Sequence, residues 1–223
     1  MLDRIVVDEA VRELRPDFAV LVMTATGLSN GPGDATSATW LDLAAKAAPE
    51  SLGDPHVEAW REAYRAFGAK PKRTRPSVEA LLRRADALPA VNKVVDAYNA
   101  VSLEYALPIG GEDLDAYRGP ARLVRARGDE PFDTVSGGET ITEHPAEGEV
   151  VWRDDDGVTC RRWNWRQCAR TRLTETTTNA LFLLERLAPY SLDRLHEAGT
   201  DLAGRLRLIT PDVRIETRLI GGE

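Results

Sequence analysis

Histidine and cysteine build many catalytic and metal sites, yet both are scarce in this chain of 223 residues, which has 3 histidines and 2 cysteines. Cys160 and Cys168 lack the spacing of a zinc or CxxC motif and have no histidine close by. We therefore expect neither a metal nor a cofactor. A reducing cytosol would keep both cysteines as thiols. The scattered histidines also form no convincing Ser–His–Asp or Cys–His arrangement.

An excess of positive charge and a long apolar run are missing as well. The net charge is −7 and the pI is near 5.2, which argues against a protein that coats nucleic acid through bulk positive charge. No run reaches the length of a membrane span, and the N-terminal residues lack a signal-peptide pattern. We expect a cytoplasmic protein without DNA or a membrane as partner, whose contact with any nucleic acid comes from a local patch.

The remaining composition is that of a globular protein, with 43% hydrophobic and 29% charged residues. The pattern predicts one α+β domain over residues 1–223, with a mixed or antiparallel sheet and helices packed around it. Residues 107–115 and 137–148 are interpreted as turns and connections. The predicted strands are 5–7, 18–23, 121–128, the two arms of a hairpin over 149–163, and 214–220. The predicted helices are about 40–52, 55–67, 77–88, 91–105, 179–187 and 191–206.

The helix predicted at 91–105 carries a polar stripe beside its apolar face. Asn92, Asp96 and Asn99 follow one another at spacings of four and three and so share one face. A solvent face would be richer in Lys and Glu, which are better helix formers. The stripe therefore has two interpretations, a pocket wall or a helix cap with hydrogen bonds to neighbouring chain.

The segment LPIGGEDLD follows that helix directly. Gly110 and Gly111 allow a close approach of backbone to a ligand, and Glu112 adds a carboxylate just after them. A tight turn alone would also explain the two glycines. Ser136, with the two glycines that follow it, predicts a second small-residue turn, for which a simple hairpin is the alternative.

The stretch CRRWNWRQC, residues 160–168, concentrates arginine and tryptophan without an acid. If 158–165 is a strand, the two tryptophans share one face, and Arg162, Asn164 and Arg166 share the other. Arginine without lysine favours bidentate recognition of phosphate or carboxylate. Ion pairs with Glu149 and with the acids at 154–156 are the alternative.

Three segments together resemble a known family: LPAVNKVVDAYNAVSLEYALPIGGEDLD, ARLVRARGDEPF and GEVVWRDDDGVTCRRWNWRQCARTRLTETTTNALF. They are similar to the B3/B4 editing module of the phenylalanyl-tRNA synthetase β subunit and to its free-standing relatives. The resemblance runs over about residues 60–190 and leaves residues 1–55 as an N-terminal extension that completes the fold. In the synthetase this module hydrolyses tyrosine wrongly esterified to the phenylalanine tRNA. The resemblance implies the module's α+β fold and an aminoacyl-tRNA deacylase that acts in trans.

The chain departs from the synthetase pattern at three places. Gly110 lies where the synthetase usually has a histidine, and Asn164, Trp165 and Arg166 replace a Met-Gly-Gly turn that lines the amino-acid pocket. Glu185 lies about two positions from the synthetase's acidic residue. Tyrosine specificity therefore does not carry over, and CRRWNWRQC is the leading candidate for a different specificity.

Hydrolysis of an activated aminoacyl ester needs a held water and donors for the developing oxyanion, without a strong nucleophile. The expected partner is the aminoacylated 3′ end of tRNA. A non-catalytic tRNA or amino-acid binding module is the alternative, and a small-molecule enzyme on the same fold is a third possibility. The predicted catalytic groups are Asn92, Asn164 and Glu112; the predicted substrate-binding groups are Asp96, Asn99, Gly110, Gly111, Arg166 and Gln167; the predicted tRNA-binding groups are Lys70, Lys72, Arg73, Arg75 and Arg170.

Overall fold

The structure is a computed structural model that describes residues 2–48 and 53–222. Within these residues the α-helices are α1 Glu9–Leu14, α2 Ala35–Ala47, α3 Pro55–Ala66, α4 Ser77–Leu82, α5 Lys93–Tyr105 and α6 Leu192–Ile209. The strands are β1 Val6–Val7, β2 Ala19–Thr26, β3 Ile109–Asp113, β4 Arg122–Arg125, β5 Phe132–Ser136, β6 Glu139–Glu143, β7 Val150–Arg153, β8 Val158–Arg161, β9 Arg166–Gln167, β10 Asn179–Arg186 and β11 Arg214–Gly221.

The described strands form a five-stranded sheet, a four-stranded sheet and a two-stranded ribbon. The five-stranded sheet has the order β1-β4-β7-β8-β9 and is antiparallel except for the parallel pair β1–β4. The four-stranded sheet has the order β11-β2-β10-β3 and is antiparallel throughout. The ribbon joins β5 to β6. These sheets and their helices confirm the predicted α+β class.

The inner strands β2 and β10 separate two apolar clusters. Alternate residues point to opposite faces of a strand, so Leu181 and Leu183 pack in one cluster with Trp60 of α3 and Trp152 of β7. Phe182 and its neighbours on the other face pack in the second cluster, with α5 and α6. The four-stranded sheet is therefore covered on both faces.

Helix α3 begins where its local sequence predicts. The Asp54 side chain accepts a hydrogen bond from the backbone N–H of His56, and Pro55 occupies the first turn. Trp60 and Tyr64 are fully buried, which confirms that the aromatic stripe of this helix belongs to the core. His56 is buried too, and burial lowers its pKa to about 4. It is a neutral core histidine that accepts from the indole N–H of Trp60 at 3.0 Å.

Several sequence-based assignments are wrong. The helix predicted at 179–187 is wrong, since Asn179–Arg186 form the strand β10. A continuous apolar run fits a strand buried on both faces as well as it fits a helix. Residues 109–113 form the strand β3 rather than a turn, and 132–143 form a hairpin through Gly137 and Gly138 rather than a connection. The helix predicted at 77–88 ends at Leu82, and a short 3-10 turn follows it. The predicted end of α2 falls on 49–52, outside the described residues.

Within residues 2–48 and 53–222, no helix combines the length and the apolar character that a membrane crossing requires. The same residues contain no group of three or more histidine, cysteine or acidic side chains placed to hold a metal ion.

Candidate functional site

A cavity of about 180 Å³ lies between the four-stranded sheet, the five-stranded sheet, α4 and α5. The rings that wall it are those of Tyr98, Trp152, Trp163 and Trp165. Two carboxylates also line it, Glu112 from β3 and Glu185 from β10. Glu112 pairs with Leu181 across β3 and β10. Glu185 lies four residues after Leu181 in β10, so Glu112 and Glu185 lie on the same face of the sheet.

Glu185 is 2% exposed, and both of its carboxylate oxygens accept hydrogen bonds. The indole Nε1 of Trp152 donates to Oε1 at 2.8 Å, and Nδ2 of Asn164 donates to Oε2 at 2.9 Å. Burial, with a smaller contribution from the negative charge of Glu112, raises the pKa of Glu185 to about 8 even though the two donors act to lower it. A group that changes charge near neutral pH therefore lies in the wall of the cavity.

Glu112 is 1% exposed, and only one of its two carboxylate oxygens accepts a hydrogen bond from a described residue. The hydroxyl of Tyr117 donates a short hydrogen bond to Oε2, and Oε1 has no hydrogen-bond partner among the described residues. Burial raises the pKa of this carboxyl to about 7, against the lowering effect of the nearby hydroxyls of Tyr117, Thr171 and Thr159. Of these three hydroxyls, only that of Tyr117 lies in hydrogen-bonding geometry with the carboxylate. A buried acceptor without a well-formed hydrogen bond is costly, and Glu112 lines the cavity, so a ligand bound there would be placed to interact with this carboxylate.

Two further buried polar atoms belong to residues that line the cavity. The hydroxyl Oγ of Ser77 and the indole Nε1 of Trp163 make no hydrogen bond within the described part of the chain. Ser77 can donate or accept, and Trp163 can only donate. Together with Oε1 of Glu112, they favour a ligand that carries both donors and acceptors.

Asn164 lies in the turn that joins β8 to β9. The preceding residues Arg162 and Trp163 have φ angles of 47° and 68°, so the chain leaves the extended conformation after Arg161. The predicted alternation over 158–165 is therefore wrong. Trp163 is fully buried, Trp165 is partly buried, and Arg162, Asn164 and Arg166 do not form one polar row.

The edge of the cavity carries positive charge. Arg84 from the segment after α4 and Arg166 from β9 both line it, and both side chains are exposed. Neither forms an ion pair with another described residue; Arg84 donates to the carbonyl of Ala80, and Arg166 donates to that of Val135. The cavity thus has buried carboxylates inside and exposed guanidinium groups at its edge.

Other predicted site residues reach the same cavity. Asn99 lines it from α5 and Gly110 lines it from β3. Gln167 lines it from β9, and its side-chain amide donates to the carbonyl of Gly111 at 2.8 Å. Gly111 itself packs against the ring of Tyr98 and does not line the cavity.

The structure does not bring Asn92 and Asp96 to the cavity. Asn92 caps α5 by accepting from the backbone N–H of Val95 at 2.9 Å. Asp96 is fully buried and accepts from the Ser37 hydroxyl and the backbone N–H of Val91, both at 2.9 Å. Their positions agree with the alternative interpretation of the polar stripe, a cap with hydrogen bonds to neighbouring chain.

The basic residues predicted to bind tRNA differ in how far they are neutralised. Arg170 donates to both oxygens of the buried Asp154 at 2.9 Å, and Arg75 lies 3.6 Å from the buried Glu79. For Lys70, Lys72 and Arg73, no ion pair occurs within residues 2–48 and 53–222. These three remain available for an anion.

Sequence reasoning missed several cavity residues, among them Ser77, Arg84 and Trp152. Glu185 fits the family pattern poorly and is not among the predicted site residues. One signal in the sequence could have identified it, since Glu185 directly follows the apolar run ALFLL of a buried strand. A carboxylate buried in such a strand requires partners.

The model of the family described as "B3/4 domain" matches residues 59–206. A solved N-terminal fragment of the phenylalanyl-tRNA synthetase β-subunit from Pyrococcus horikoshii is 15% identical, with a TM-score of 0.47 over 95% of this chain. The chain spans about half the length of that fragment, 49%. No curated protein matches the chain. The family match covers well over half of the sequence and confirms the resemblance in its three segments: this chain belongs to the B3/4 domain family.

Proposed function

We propose that this chain is a cytoplasmic editing protein that binds the aminoacylated 3′ end of tRNA and hydrolyses the aminoacyl ester in trans. One observation carries the proposal: the cavity has the buried carboxylates Glu112 and Glu185 inside and the exposed guanidinium groups of Arg84 and Arg166 at its edge. An aminoacylated 3′ end has the complementary arrangement, because its amino acid carries hydrogen-bond donors and the phosphates that follow are negative. Membership of the B3/4 domain family supports the same class of ligand.

The chemistry assigned to the cavity is modest. Glu112 has an unpartnered oxygen and a pKa raised to about 7 by burial, so it can accept a proton at neutral pH. In the proposed step Glu112 takes the proton of a water whose oxygen attacks the ester carbonyl. The ester oxygen then leaves as the ribose hydroxyl after protonation, and the free amino acid departs. Donors that line the cavity, such as Asn99, stabilise the negative charge that develops on the carbonyl oxygen.

The surface proposed for the tRNA backbone begins at the edge of the cavity. Arg84 and Arg166 would meet the phosphates nearest the ester, and Lys70, Lys72 and Arg73 would meet more distant ones. With a net charge of −7, the protein neutralises few phosphates. We therefore expect modest affinity that decreases with salt.

The test uses a bulk pool of aminoacylated tRNA incubated with the protein, followed by measurement of which amino acids leave the tRNA. The variant Glu112→Gln keeps the size of the side chain but cannot accept the proton, so its deacylation rate should fall by about 100-fold or more. Glu147→Gln makes the same chemical change at an exposed residue and should leave the rate unchanged. Equal rates for both variants would remove Glu112 from the mechanism, and a pool that stays fully charged would contradict hydrolysis.

A binding module without catalysis is the second candidate. It requires neither a general base nor a nucleophile in the cavity, and the thiol of Cys160, which lines the cavity, has its pKa raised well above the ordinary value by burial. A thiol in that state is not an activated nucleophile. Measurable tRNA binding together with full retention of every amino acid would support this candidate. Activity on free aminoacyl esters without any dependence on RNA would indicate a small-molecule enzyme instead.

A further inference from the structure

A chain of hydrogen bonds connects the cavity to a residue outside it. Tyr64 on α3 is fully buried and does not line the cavity. Its hydroxyl donates to Oδ1 of Asn164 at 2.9 Å, and Nδ2 of Asn164 donates to Oε2 of Glu185 at 2.9 Å. Tyr64 therefore reaches Glu185 through one intermediate side chain.

The orientation of the Asn164 amide follows from the donors around it. Besides the Tyr64 hydroxyl, the backbone N–H of Ser77 lies 3.3 Å from Oδ1. A side-chain amide has its acceptor on one side and its donors on the other. Two donors at one end require the oxygen there, so the NH₂ group faces Glu185. A rotated amide would bring its NH₂ group towards the N–H of Ser77 and its oxygen towards the carboxylate.

Glu185 depends on that orientation. Its other oxygen already accepts from the indole of Trp152 at 2.8 Å, so Asn164 supplies the second donor. Two donors stabilise the charged form of a buried carboxyl. We propose that Tyr64 is a positioning residue that holds the amide of Asn164 in the orientation in which it donates to Glu185. The tyrosine thereby sets the charge of the cavity wall without contacting a ligand.

The direct test measures the titration of the Glu185 carboxyl by carbon-13 NMR, with the signal assigned through Glu185→Gln. Tyr64→Phe removes only the hydroxyl and leaves the Ser77 N–H, at 3.3 Å, as the remaining donor to Oδ1 of Asn164. The pKa of Glu185 should therefore rise by up to about one to two pH units, the effect of losing the whole hydrogen bond from Asn164 to the charged carboxylate. Tyr190→Phe is the matched control, because its hydroxyl donates to the carbonyl of Tyr105 at 3.0 Å, away from Asn164. The same titration curve in both variants would overturn the proposal.

A second variant separates this route from a general effect on packing. Asn164→Leu deletes the intermediate amide and should also raise the pKa of Glu185. In that background Tyr64→Phe should produce no additional shift, because the connection is already broken. An additional shift as large as that in the wild type would mean that Tyr64 acts on Glu185 by another path, and the proposal would be wrong.

The effect on activity rests on the proposed function, whereas the titration does not. If the wild type deacylates tRNA, Tyr64→Phe should displace the pH profile of kcat/KM in the same direction as the carboxyl titration, while Tyr190→Phe should not. If the wild type leaves every aminoacyl-tRNA intact, the editing proposal fails and the NMR result alone decides the role of Tyr64. A displaced Glu185 titration with an unchanged pH profile of kcat/KM would support the positioning of Asn164 by Tyr64. It would also show that the charge of Glu185 does not affect the rate.

Discussion

The guanidinium of Arg161 and the carboxylate of Glu149 form a two-bond ion pair, with Nε and Nη2 each 2.9 Å from a carboxylate oxygen. The pair ties β8 to the residue that precedes β7. Both residues are buried, at 6% and 4% exposure. The first arginine of CRRWNWRQC is therefore a structural group, and the same acid also accepts from the backbone N–H of Arg162.

This pair gives a stability prediction. Arg161→Met removes the guanidinium and leaves a buried carboxylate with fewer partners, so the free energy of unfolding should fall by about 3 kcal/mol or more. Arg127→Met breaks a pair with Asp129 in which both side chains are more than 70% exposed (73% and 72%), and should change the free energy by less than about 1 kcal/mol. Urea unfolding of both variants checks this. Similar losses in the two would show that the buried pair contributes no more than a surface pair.

The raised pKa of Glu112 predicts how stability depends on pH. Its ordinary value is 4.5 and the folded value is about 7, so between these the folded state keeps a proton that the unfolded state has lost. Stability therefore falls as pH rises from about 4.5 to 7, by on the order of 2–3 kcal/mol from this group. Glu112→Gln should remove this part of the slope. Unfolding free energies at several pH values measure it, and an unchanged slope in the variant would contradict a raised pKa.

The arginines at the edge of the cavity predict a salt effect on tRNA binding. Arg84→Ala and Arg166→Ala should each weaken binding and reduce the slope of log K against log salt by about 0.7, the value for one phosphate of a single strand. Arg207→Ala removes an exposed arginine of α6 that does not line the cavity, and should leave the slope unchanged. Binding titrations at three or more salt concentrations measure the slopes. Equal slopes for all three variants would place the RNA elsewhere.

The two glycines of β3 should respond differently to alanine. A Cβ at Gly111 would lie 2.8 Å from both Leu173 and Tyr98, which are packed in the core, so Gly111→Ala should lower the free energy of unfolding by about 1–3 kcal/mol. A Cβ at Gly110 would meet only the end of the Gln167 side chain, at 3.3 Å. Gly110→Ala should leave the free energy of unfolding unchanged. Because the added methyl group narrows the cavity, the variant should bind substrate more weakly. Thermal unfolding and KM measured on both variants distinguish the two roles.

Features with short-range causes could be predicted from the sequence. The cap at Asp54 and the proline after it mark the start of α3, and the acids and glycine at 154–157 mark the turn between β7 and β8. The alternation over 214–220 likewise predicts β11. In each case the residues that decide the structure are neighbours in the chain, so no knowledge of the packing is needed.

Features that depend on distant partners could not be predicted. β10 is a strand because β2 and β3 flank it, and its own apolar run leaves helix and strand open. Asn164 enters the cavity because two residues before it adopt positive φ angles, which a simple alternation rule does not foresee. Asn92 was predicted as a catalytic group, whereas its side chain accepts from Val95 and from Asn30, 62 residues earlier in the chain.

The position of β2 has a consequence for the limits of the folding unit. β2 pairs with β10 on one side and β11 on the other, yet the family match, residues 59–206, contains neither β2 nor β11. We propose that residues 1–223 fold as one domain. A fragment of 59–206 would expose the backbone of one edge of β10, along five consecutive apolar residues. An unpaired apolar edge joins other chains readily, so we expect that fragment to precipitate as β-rich aggregates. In the whole chain, β2 prevents this self-association by pairing with β10.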